Sequence, residues 1–370
     1  MDALLSRCVE HRRNLHRIPE VGFKLPKTQG YVYEALKATG GEITEVSPAG
    51  VMAYFDFGKE ETLALRSDMD ALPITERTDL SFASTHPGAM HACGHDAHMG
   101  MLLTTAEQMH RLAPSRNVLF IFQPAEESGC GAQTMIDAGA LTRYNVGQIF
   151  AGHVWPSLPF GSIASKPGEF MPMTTELHVT VKGKSSHIAL PEEGIDALLN
   201  AARFVDRSKR LIEEKYASVR HLYGYGRFMS GTANNIISNE TNLDGVIRAF
   251  SEDVFDAILS DIQAVSSEIA RESGASFDFI VPRGYPPLIN DQKSFERLAS
   301  LAGSLPFIAL DHPWLIAEDF ACYLKHVPGA MFQLGIETPT PLHSADFHFD
   351  ESALLNGIRM FMALIEDRPA

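Results

Sequence analysis

The sequence has few cysteines, fewer basic than acidic residues and no long apolar run. Its four cysteines lack the spacing of a disulfide framework, which predicts reduced thiols in a cytoplasmic protein. Each apolar stretch is shorter than the ~18 residues of a membrane span, and charges interrupt the amino-terminal segment, so neither a span nor a secretion signal is predicted. The net charge of −15, without a basic stripe, argues against nucleic-acid binding.

The remaining composition is that of an ordinary globular protein, with 45% hydrophobic and 21% charged residues. A chain of 370 residues exceeds the usual size of a single hydrophobic core and predicts two domains. Internal repeats and low-complexity segments are absent from the sequence.

Strands and helices are predicted to alternate through the first 170 residues. Apolar runs predict strands at 51–57, 62–66, 117–122 and 148–151, and helical periodicity predicts helices at 2–17, 27–39 and 98–112. Polar residues follow three of these strands: Asp68 and Asp70, Glu126 and Glu127, and His153. Because ligands bind beyond the carboxyl ends of strands in an α/β sheet, these side chains mark a candidate site.

A second pattern begins near residue 171. The pattern predicts strands at 175–181, 220–229, 241–250 and 276–281 and helices at 194–216 and 252–273. Their order is βαββαβ, which is that of a ferredoxin-like α+β domain. From about residue 294 the α/β pattern resumes and ends in a helix at 351–365. The predicted organisation is therefore a first domain made of 1–170 and 286–370, with 171–285 inserted into it.

The segment MHACGHDAH, residues 90–98, combines one thiol with three imidazoles. Cys93 and His95 flank Gly94, and a bend at glycine can turn both side chains toward one point. A single buried cysteine or histidine is more often a core residue than a ligand. The cluster as a whole favours a metal site.

Two adjacent glutamates can combine metal binding with proton transfer. In an extended segment Glu126 and Glu127 point to opposite sides, so one can bind a metal while the other moves protons. The alternative is a solvated acidic pair in a loop. Cys93, His95, Glu127, His153 and His343 together form a donor set for one or two divalent ions, which suits amide or ester hydrolysis.

Motifs along nearly the whole chain resemble the M20 family of metallopeptidases and amidohydrolases, specifically its aminoacylase-like subfamily. They are RRNLHRIPEVGF, MHACGHDAH, FQPAEE, GHVWP, GKSSH, AEDFACYLKHVPGAMFQLG and LHS. The resemblance implies a mixed-sheet metallohydrolase catalytic domain and an inserted ferredoxin-like domain that serves as lid and dimerisation domain. A homodimer formed through that lid is the implied assembly.

The resemblance also implies residue roles. It implies that two divalent ions (Zn, Mn, Co or Ni) are held by Cys93, His95, Glu127, His153 and His343. Glu126 is the implied general base, which takes a proton from water and passes it to the leaving amine. Asp70 and Asp96 are the implied residues that orient ligand imidazoles.

Three residues of the inserted domain match positions that act on the substrate in relatives. His187 matches a lid histidine that stabilises the oxyanion in the partner subunit's site, and Asn235 and Arg248 match residues that hold the substrate carboxylate. The sequence departs from the family pattern after GKSSH, where Ile188, Glu192 and Glu193 stand near the implied entrance.

The predicted function is metal-dependent hydrolysis of an N-acyl L-amino acid, a small-molecule substrate whose acyl group is predicted to be acetyl. The segment IPEVGFKLPKTQGY leans toward N-acetyl-L,L-diaminopimelate deacetylases within the subfamily. The alternatives are a hippurate hydrolase, a general aminoacylase or a dipeptidase. In a different class, the chain is a metal-binding or ligand-binding protein without turnover, although the presence of Glu126 favours the enzyme.

Overall fold

The computed structural model describes residues 2–368 and places them in two units. Among these residues, unit 1 comprises those up to Phe170, Ile289–Pro313 and those from Asp319 onward, and unit 2 comprises Met171–Leu288 and Trp314–Glu318. Relative to the insertion predicted at 171–285, unit 2 also includes residues 286–288 and 314–318. Each unit has its own hydrophobic core.

The helices among the described residues are numbered here in chain order. They are α1 (Ala3–His16), α2 (Pro26–Leu36), α3 (His95–Glu107), α4 (Gly131–Asp137), α5 (Ala197–Lys215), α6 (Glu252–Ser273), α7 (Gln292–Leu301), α8 (Ala321–Leu324) and α9 (Leu354–Glu366), with 3₁₀ turns at Lys37–Thr39, Pro191–Glu193 and Glu351–Ala353. None of these helices combines the length and apolarity that crossing a bilayer needs.

The strands are numbered in the same way. They are β1 (Glu42–Val46), β2 (Gly50–Phe55), β3 (Thr62–Asp68), β4 (Asn117–Gln123), β5 (Val146–Trp155), β6 (Ile163–Ser165), β7 (Gly168–Met171), β8 (Met173–Lys182), β9 (His221–Ser230), β10 (Glu240–Ala249), β11 (Ser276–Ile280), β12 (Leu288–Asn290), β13 (Phe307–Ala309) and β14 (Gly329–Gly335). The two short strands β7 and β12 pair with each other.

Unit 1 contains a mixed eight-stranded sheet in the order β1-β2-β4-β3-β5-β14-β6-β13. Its centre, β4-β3-β5-β14, is parallel, and every residue of β3 and β4 is buried, as strands covered on both faces require. The register pairs Asp68 of β3 with Gln123 of β4. The segments that follow these strands therefore leave the sheet side by side, and they carry Asp70, Glu126 and Glu127.

Helix α3 starts three residues before the predicted position of 98. Gly94 adopts a left-handed conformation with φ of 86° at the helix N-cap, and residues 95–106 are all buried. His95 and His98 thus lie on the first turn of a core helix. The predicted strand at 148–151 was also too short. Strand β5 continues to Trp155, so His153 lies within the strand and not after its end.

Unit 2 has the predicted ferredoxin-like architecture. Its antiparallel sheet runs β11-β8-β10-β9, and the chain order β8-α5-β9-β10-α6-β11 is the predicted βαββαβ. Residues of α5 and α6 form one core with the inner face of the sheet. Strand β9 is an edge strand, hydrogen-bonded only to β10 among the described strands.

A buried ionic network joins α1 to α3 in unit 1. His16 donates from Nδ1 to Asp96 Oδ2 at 2.8 Å, and its Nε2 lies 3.3 Å from Glu76 Oε1. Arg12 also donates to Asp96, at 3.3 Å, and pairs with Glu351 at 2.9 Å. Burial alone would lower the pKa of His16, but the Asp96 and Glu76 carboxylates raise it to about 9.

The raised pKa of His16 predicts a pH-dependent stability. The ion pairs of protonated His16 contribute fully to the free energy of unfolding below the ordinary histidine pKa of 6.5. This contribution is lost as the pH rises through about 9. Between about pH 6 and about pH 10, we expect the wild-type protein to lose about 3 kcal/mol of unfolding free energy that His16→Gln does not lose. Urea unfolding at the two pH values measures the difference. The exposed His110→Gln serves as control and should follow the wild type; equal pH dependence of His16→Gln and wild type would contradict the prediction.

Candidate metal centre

Five of the predicted ligands lie together in unit 1, beyond the carboxyl ends of its parallel strands. They fall into two groups whose donor atoms all lie within 4.8 Å of one another: Cys93 with His95 and His153, and Cys93 with Glu127 and His343. Cys93 belongs to both groups. A third group, His95 with Glu126 and Glu127, places Glu126 beside the same donors.

The two contacts of Glu127 with histidines are longer than hydrogen bonds between oxygen and nitrogen usually are, whereas the contact of Cys93 with His153 has an ordinary length for a hydrogen bond to sulfur. Cys93 Sγ lies 3.5 Å from His153 Nε2, His343 Nε2 lies 3.4 Å from Glu127 Oε1, and His95 Nε2 lies 3.8 Å from the same oxygen. His95 Nε2 and Glu127 Oε1 are buried and have no hydrogen-bond partner among the described residues. Buried polar atoms are rarely left in this state, so the donor set fits divalent cations.

The outward nitrogen of each buried ligand histidine is fixed by a backbone carbonyl. His95 Nδ1 donates to the carbonyl of Asp70 at 2.8 Å, and His153 Nδ1 donates to the carbonyl of Val154 at 2.7 Å. Each imidazole therefore turns Nε2 toward the other donors, and this is the nitrogen that would bind a metal once it is unprotonated. His343 is more exposed and has a φ of 63°, and its N–H donates to the carbonyl of Ala92 at 2.8 Å.

The Asp70 side chain fixes the glutamate pair. Asp70 Oδ1 accepts the N–H of Glu126 at 2.9 Å, and Oδ2 accepts the N–H of Glu127 at 3.2 Å. Ala125 precedes the pair with a φ of 52°, and its carbonyl accepts the N–H groups of Gly129 and Gly131. A side chain at Gly131 would lie 1.6 Å from the carbonyl oxygen of Pro124, so the closed turn of residues 124–131 requires glycine there.

A second buried carboxylate, Asp68, is compensated by other groups. It accepts a hydrogen bond from His98 Nδ1 at 2.7 Å and pairs with Arg66 at 2.9 Å. His98 Nε2 accepts the N–H of Val154 at 2.9 Å, so both nitrogens of His98 are engaged within the protein. His98 therefore supports the strand that carries His153 instead of offering a donor atom to a metal.

The Arg66 guanidinium continues this network toward the glutamate loop. It donates to Asp319 at 2.7 Å and to Gln123 at 2.9 Å. Asp319 accepts further hydrogen bonds from Gln123 Nε2 at 2.7 Å and from the N–H of Ala132 at 2.9 Å. The first turn of α4 and the end of β4 are thus tied to residue 319, almost two hundred positions away in the chain.

The charges around the donors shift their pKa values in opposite directions. Burial lowers the pKa of His153 to about 3 and therefore keeps this imidazole neutral. Burial acts in the same sense on His95, but the Asp68 and Glu127 carboxylates raise its pKa to about 10. Burial and the neighbouring Glu127 carboxylate raise the pKa of the Cys93 thiol. A cation that binds Cys93 and His95 therefore has to displace protons.

The structure does not bring Asp96 to the ligand imidazoles. The carboxylate oxygen Oδ2 of Asp96 is engaged by His16 and Arg12 of α1, although Asp96 follows His95 directly in α3. Successive residues of a helix point about 100° apart, which is why Asp96 faces α1 while His95 faces the donors. The carbonyl of Asp70, and not the Asp96 carboxylate, orients His95.

The three remaining predicted residues lie in unit 2. His187 and Asn235 are exposed and neighbouring, since the N–H of Ile188 donates to the carbonyl of Asn235 at 3.0 Å. His187 Nδ1 accepts the N–H of Ala189 at 3.1 Å, which leaves its proton on Nε2. Arg248 of β10 donates to the carbonyl of Leu315, and its Nε is buried without a partner among the described residues.

Sequence reasoning gave no role to Arg66, Gln123, His98 and Asp319. The sequence did place His98 in the ligand-rich segment and Asp319 in the family-like AEDFACYLKHVPGAMFQLG, but spacing alone could not show what they contact. Their hydrogen bonds join residues from four separate parts of the chain.

The fold and the donor set together define a metal-dependent hydrolase that acts on linear amides. The chain belongs to peptidase family M20/M25/M40, whose model matches residues 64–367. The sequence-based assignment to the M20 family is thereby confirmed.

Two curated relatives and one solved structure match nearly the whole chain. An N-acetyldiaminopimelate deacetylase of Streptococcus uberis is 35% identical over 96% of this chain and 97% of its own. One of Streptococcus pneumoniae (strain Taiwan19F-14) is 34% identical over 98% and 99%. The Bacillus subtilis YxeP protein, described as a dinuclear metal-binding peptidase from the M20 family, superposes with a TM-score of 0.87 at 30% identity, covering 99% of this chain and 98% of that one.

Proposed function

We propose that this protein is a metal-dependent deacetylase that hydrolyses the amide bond of N-acetyl-L,L-diaminopimelate, releasing acetate and the free amine. The observation that carries the proposal is the glutamate pair held by Asp70 beside the Cys93-centred donor groups. The choice of substrate is supported by the deacetylases that are 34–35% identical over nearly the full length.

We assign the metal ligands to Cys93, His95, Glu127, His153 and His343. Two divalent cations, with Zn, Mn, Co and Ni all compatible with thiolate, imidazole and carboxylate donors, would occupy the two groups that share Cys93. When bound, they supply Lewis-acid polarisation of the amide carbonyl and lower the pKa of water. A pair of cations also fits the YxeP protein, whose description names a dinuclear site.

Glu126 is the proposed general base. Its side chain is buried, with 7% of its surface exposed, and its backbone is fixed by Asp70, so the carboxylate is held near the reacting groups. The carboxylate takes a proton from the attacking water and delivers it to the nitrogen of the leaving amine. Glu127 Oε1, which lies 3.8 Å from His95 Nε2 and 3.4 Å from His343 Nε2, remains available as a ligand.

Residues of unit 2 supply the proposed substrate contacts. Arg248 and Asn235 would hold the substrate carboxylate, since guanidinium and amide groups donate to carboxylates. His187 carries its proton on Nε2 and can donate it to an oxyanion. Exposed apolar side chains surround the histidine, with Ile188 49% and Ile236 43% exposed.

We also propose a homodimer formed through unit 2, in which His187 of each subunit completes the site of the other. The edge strand β9 offers unpaired backbone groups to a second copy, and Phe228 and Met229 of this strand are 44% and 47% exposed. A cytoplasmic location is proposed as well, supported by four cysteines that form no disulfide in the described structure.

Release of free amine tests both the substrate and the role of Glu126. With added divalent metal, amine release should be fastest from N-acetyl-L,L-diaminopimelate in a panel with N-acetyl amino acids, hippurate and dipeptides. Glu126→Gln should slow this release by about 10²–10⁴-fold because the proton carrier is lost, while its metal content stays unchanged. The exposed Glu45→Gln is the matched control and should retain the wild-type rate.

Other outcomes of the same panel select other functions. Preference for hippurate or a dipeptide would replace the substrate assignment, and silence of the whole panel with metal bound would favour a binding protein. Near wild-type turnover by Glu126→Gln would remove Glu126 from its proposed role.

A subunit-mixing experiment tests the shared site. Neither His187→Ala nor Glu126→Gln should be active alone, but a hybrid dimer contains one site with both residues intact. An equal mixture should recover about one quarter of the wild-type rate, since half of the dimers are hybrids with one complete site. The absence of recovery, after mass measurement has shown hybrid dimers, would contradict the shared site.

A further inference from the structure

Two cysteines outside the donor set lie side by side in unit 1. Cys130 Sγ and Cys322 Sγ are 3.5 Å apart, close to van der Waals contact for two sulfur atoms. Cys130 stands at the N-cap of α4 with a φ of 53°, and Cys322 lies in α8. The two residues are 192 positions apart in the sequence, so the fold and not local chain geometry brings them together.

Hydrogen bonds already hold the two cysteine-bearing segments together. Asp319 Oδ2 accepts the N–H of Ala132, two residues after Cys130, and the carbonyl of Asp319 accepts the N–H of Cys322. One aspartate therefore anchors both segments. The sulfur atoms meet because the backbone around them is fixed on both sides, which preorganises the thiols for a reaction with each other.

The two thiols also differ from the other cysteines of the chain. Cys8 is fully buried, and burial raises the pKa of its thiol. Cys93 belongs to the proposed metal ligands. Cys130 is partly exposed, and the thiol of Cys322 beside it lowers its pKa, while the neighbouring Cys130 sulfur raises the pKa of Cys322. Cys130 is thus the more readily ionised and more accessible partner.

We propose that Cys130 and Cys322 are a reversible oxidation site, at which a hydroperoxide converts the two thiols to a disulfide. The Cys130 thiolate attacks one peroxide oxygen, the O–O bond breaks, and with hydrogen peroxide one water leaves after protonation. The Cys322 sulfur then attacks the resulting sulfenic acid, and its proton and the hydroxyl group leave as a second water. Overall, two thiols lose two electrons and two protons, and one peroxide is reduced to two waters.

The disulfide would act on the loop that carries Glu126 and Glu127. A disulfide bond is about 2.05 Å long, so the sulfur atoms have to approach by about 1.5 Å from their present 3.5 Å. Cys130 belongs to the closed turn in which the Ala125 carbonyl accepts the N–H groups of Gly129 and Gly131. A shift of this turn displaces the glutamates from their hydrogen bonds to Asp70, and this consequence rests on the proposed function.

Peptide mapping tests the bond directly, without reference to activity. Metal-loaded wild-type protein is treated with hydrogen peroxide, alkylated, digested with trypsin and examined by mass spectrometry. Cleavage after lysine and arginine leaves Cys130 in the peptide 117–143 and Cys322 in the peptide 298–325, each with a single cysteine. We expect these peptides to appear linked, two hydrogens lighter than their sum, and to separate on reduction with a phosphine.

Variants identify the residues. Cys8→Ser is the matched control and should form the same linked pair, whereas Cys322→Ser and Cys130→Ser should not. If one of the latter variants fails to fold, the other still decides the question. Recovery of Cys130 and Cys322 as separate alkylated peptides after peroxide, while Cys93 or Cys8 is oxidised, would overturn the proposal.

The rate of turnover is a second test of the proposal. The oxidised wild-type protein should turn over at least about fivefold more slowly and recover with the phosphine, because small displacements of a catalytic group are costly. Cys322→Ser should keep its basal rate through the same treatment. An equal loss in Cys322→Ser would assign the effect to another thiol and overturn the proposed action on the loop. If no substrate is found, the peptide map still decides whether the disulfide forms.

Discussion

The buried carboxylates at the carboxyl ends of the parallel strands in unit 1 have to be compensated, because an isolated charge in a protein interior costs several kcal/mol. Asp68 is compensated by Arg66 and His98, and Asp70 by the two backbone N–H groups of the glutamate pair. Glu127 Oε1 and His95 Nε2 remain without a hydrogen-bond partner among the described residues. Both atoms belong to proposed metal ligands, so a bound divalent cation would supply the partner that the protein's own groups do not provide.

The sequence was sufficient for the parts of this arrangement that depend on local pattern. Continuous apolar runs predicted β3 and β4, and the residues immediately after them were therefore placed at one edge of the sheet. The βαββαβ order of unit 2 followed from strand and helix periodicity, and the structure confirms it. The grouping of Cys93 with His95 was visible because Gly94 separates them and can adopt the left-handed conformation that the helix start requires.

The parts that were missed depend on contacts between distant segments or on the exact start of an element. Helix α3 begins at His95, so Asp96 is turned toward His16, and its predicted role beside the ligands was not supported by its contacts. The Asp319 carboxylate contacts Arg66, which lies 253 positions away, and no periodic pattern encodes such a pair. Ala125 has a positive φ, and the two N–H groups that follow it donate to Asp70. This conformation depends on how the loop closes and cannot be predicted from an alanine in the sequence.

Cys93 is the donor that we propose two cation positions share, and counting the bound metal ions tests this sharing most directly. After loading and gel filtration, elemental analysis of the folded wild-type protein should find two divalent ions per chain. Cys93→Ala should retain neither ion at comparable affinity. His153→Ala and His343→Ala each lose a donor from one group only and should retain one ion. Cys8→Ala is the control and should retain both ions. A folded Cys93→Ala protein that still binds two ions as tightly as the wild type would contradict the shared ligand and with it the proposed centre.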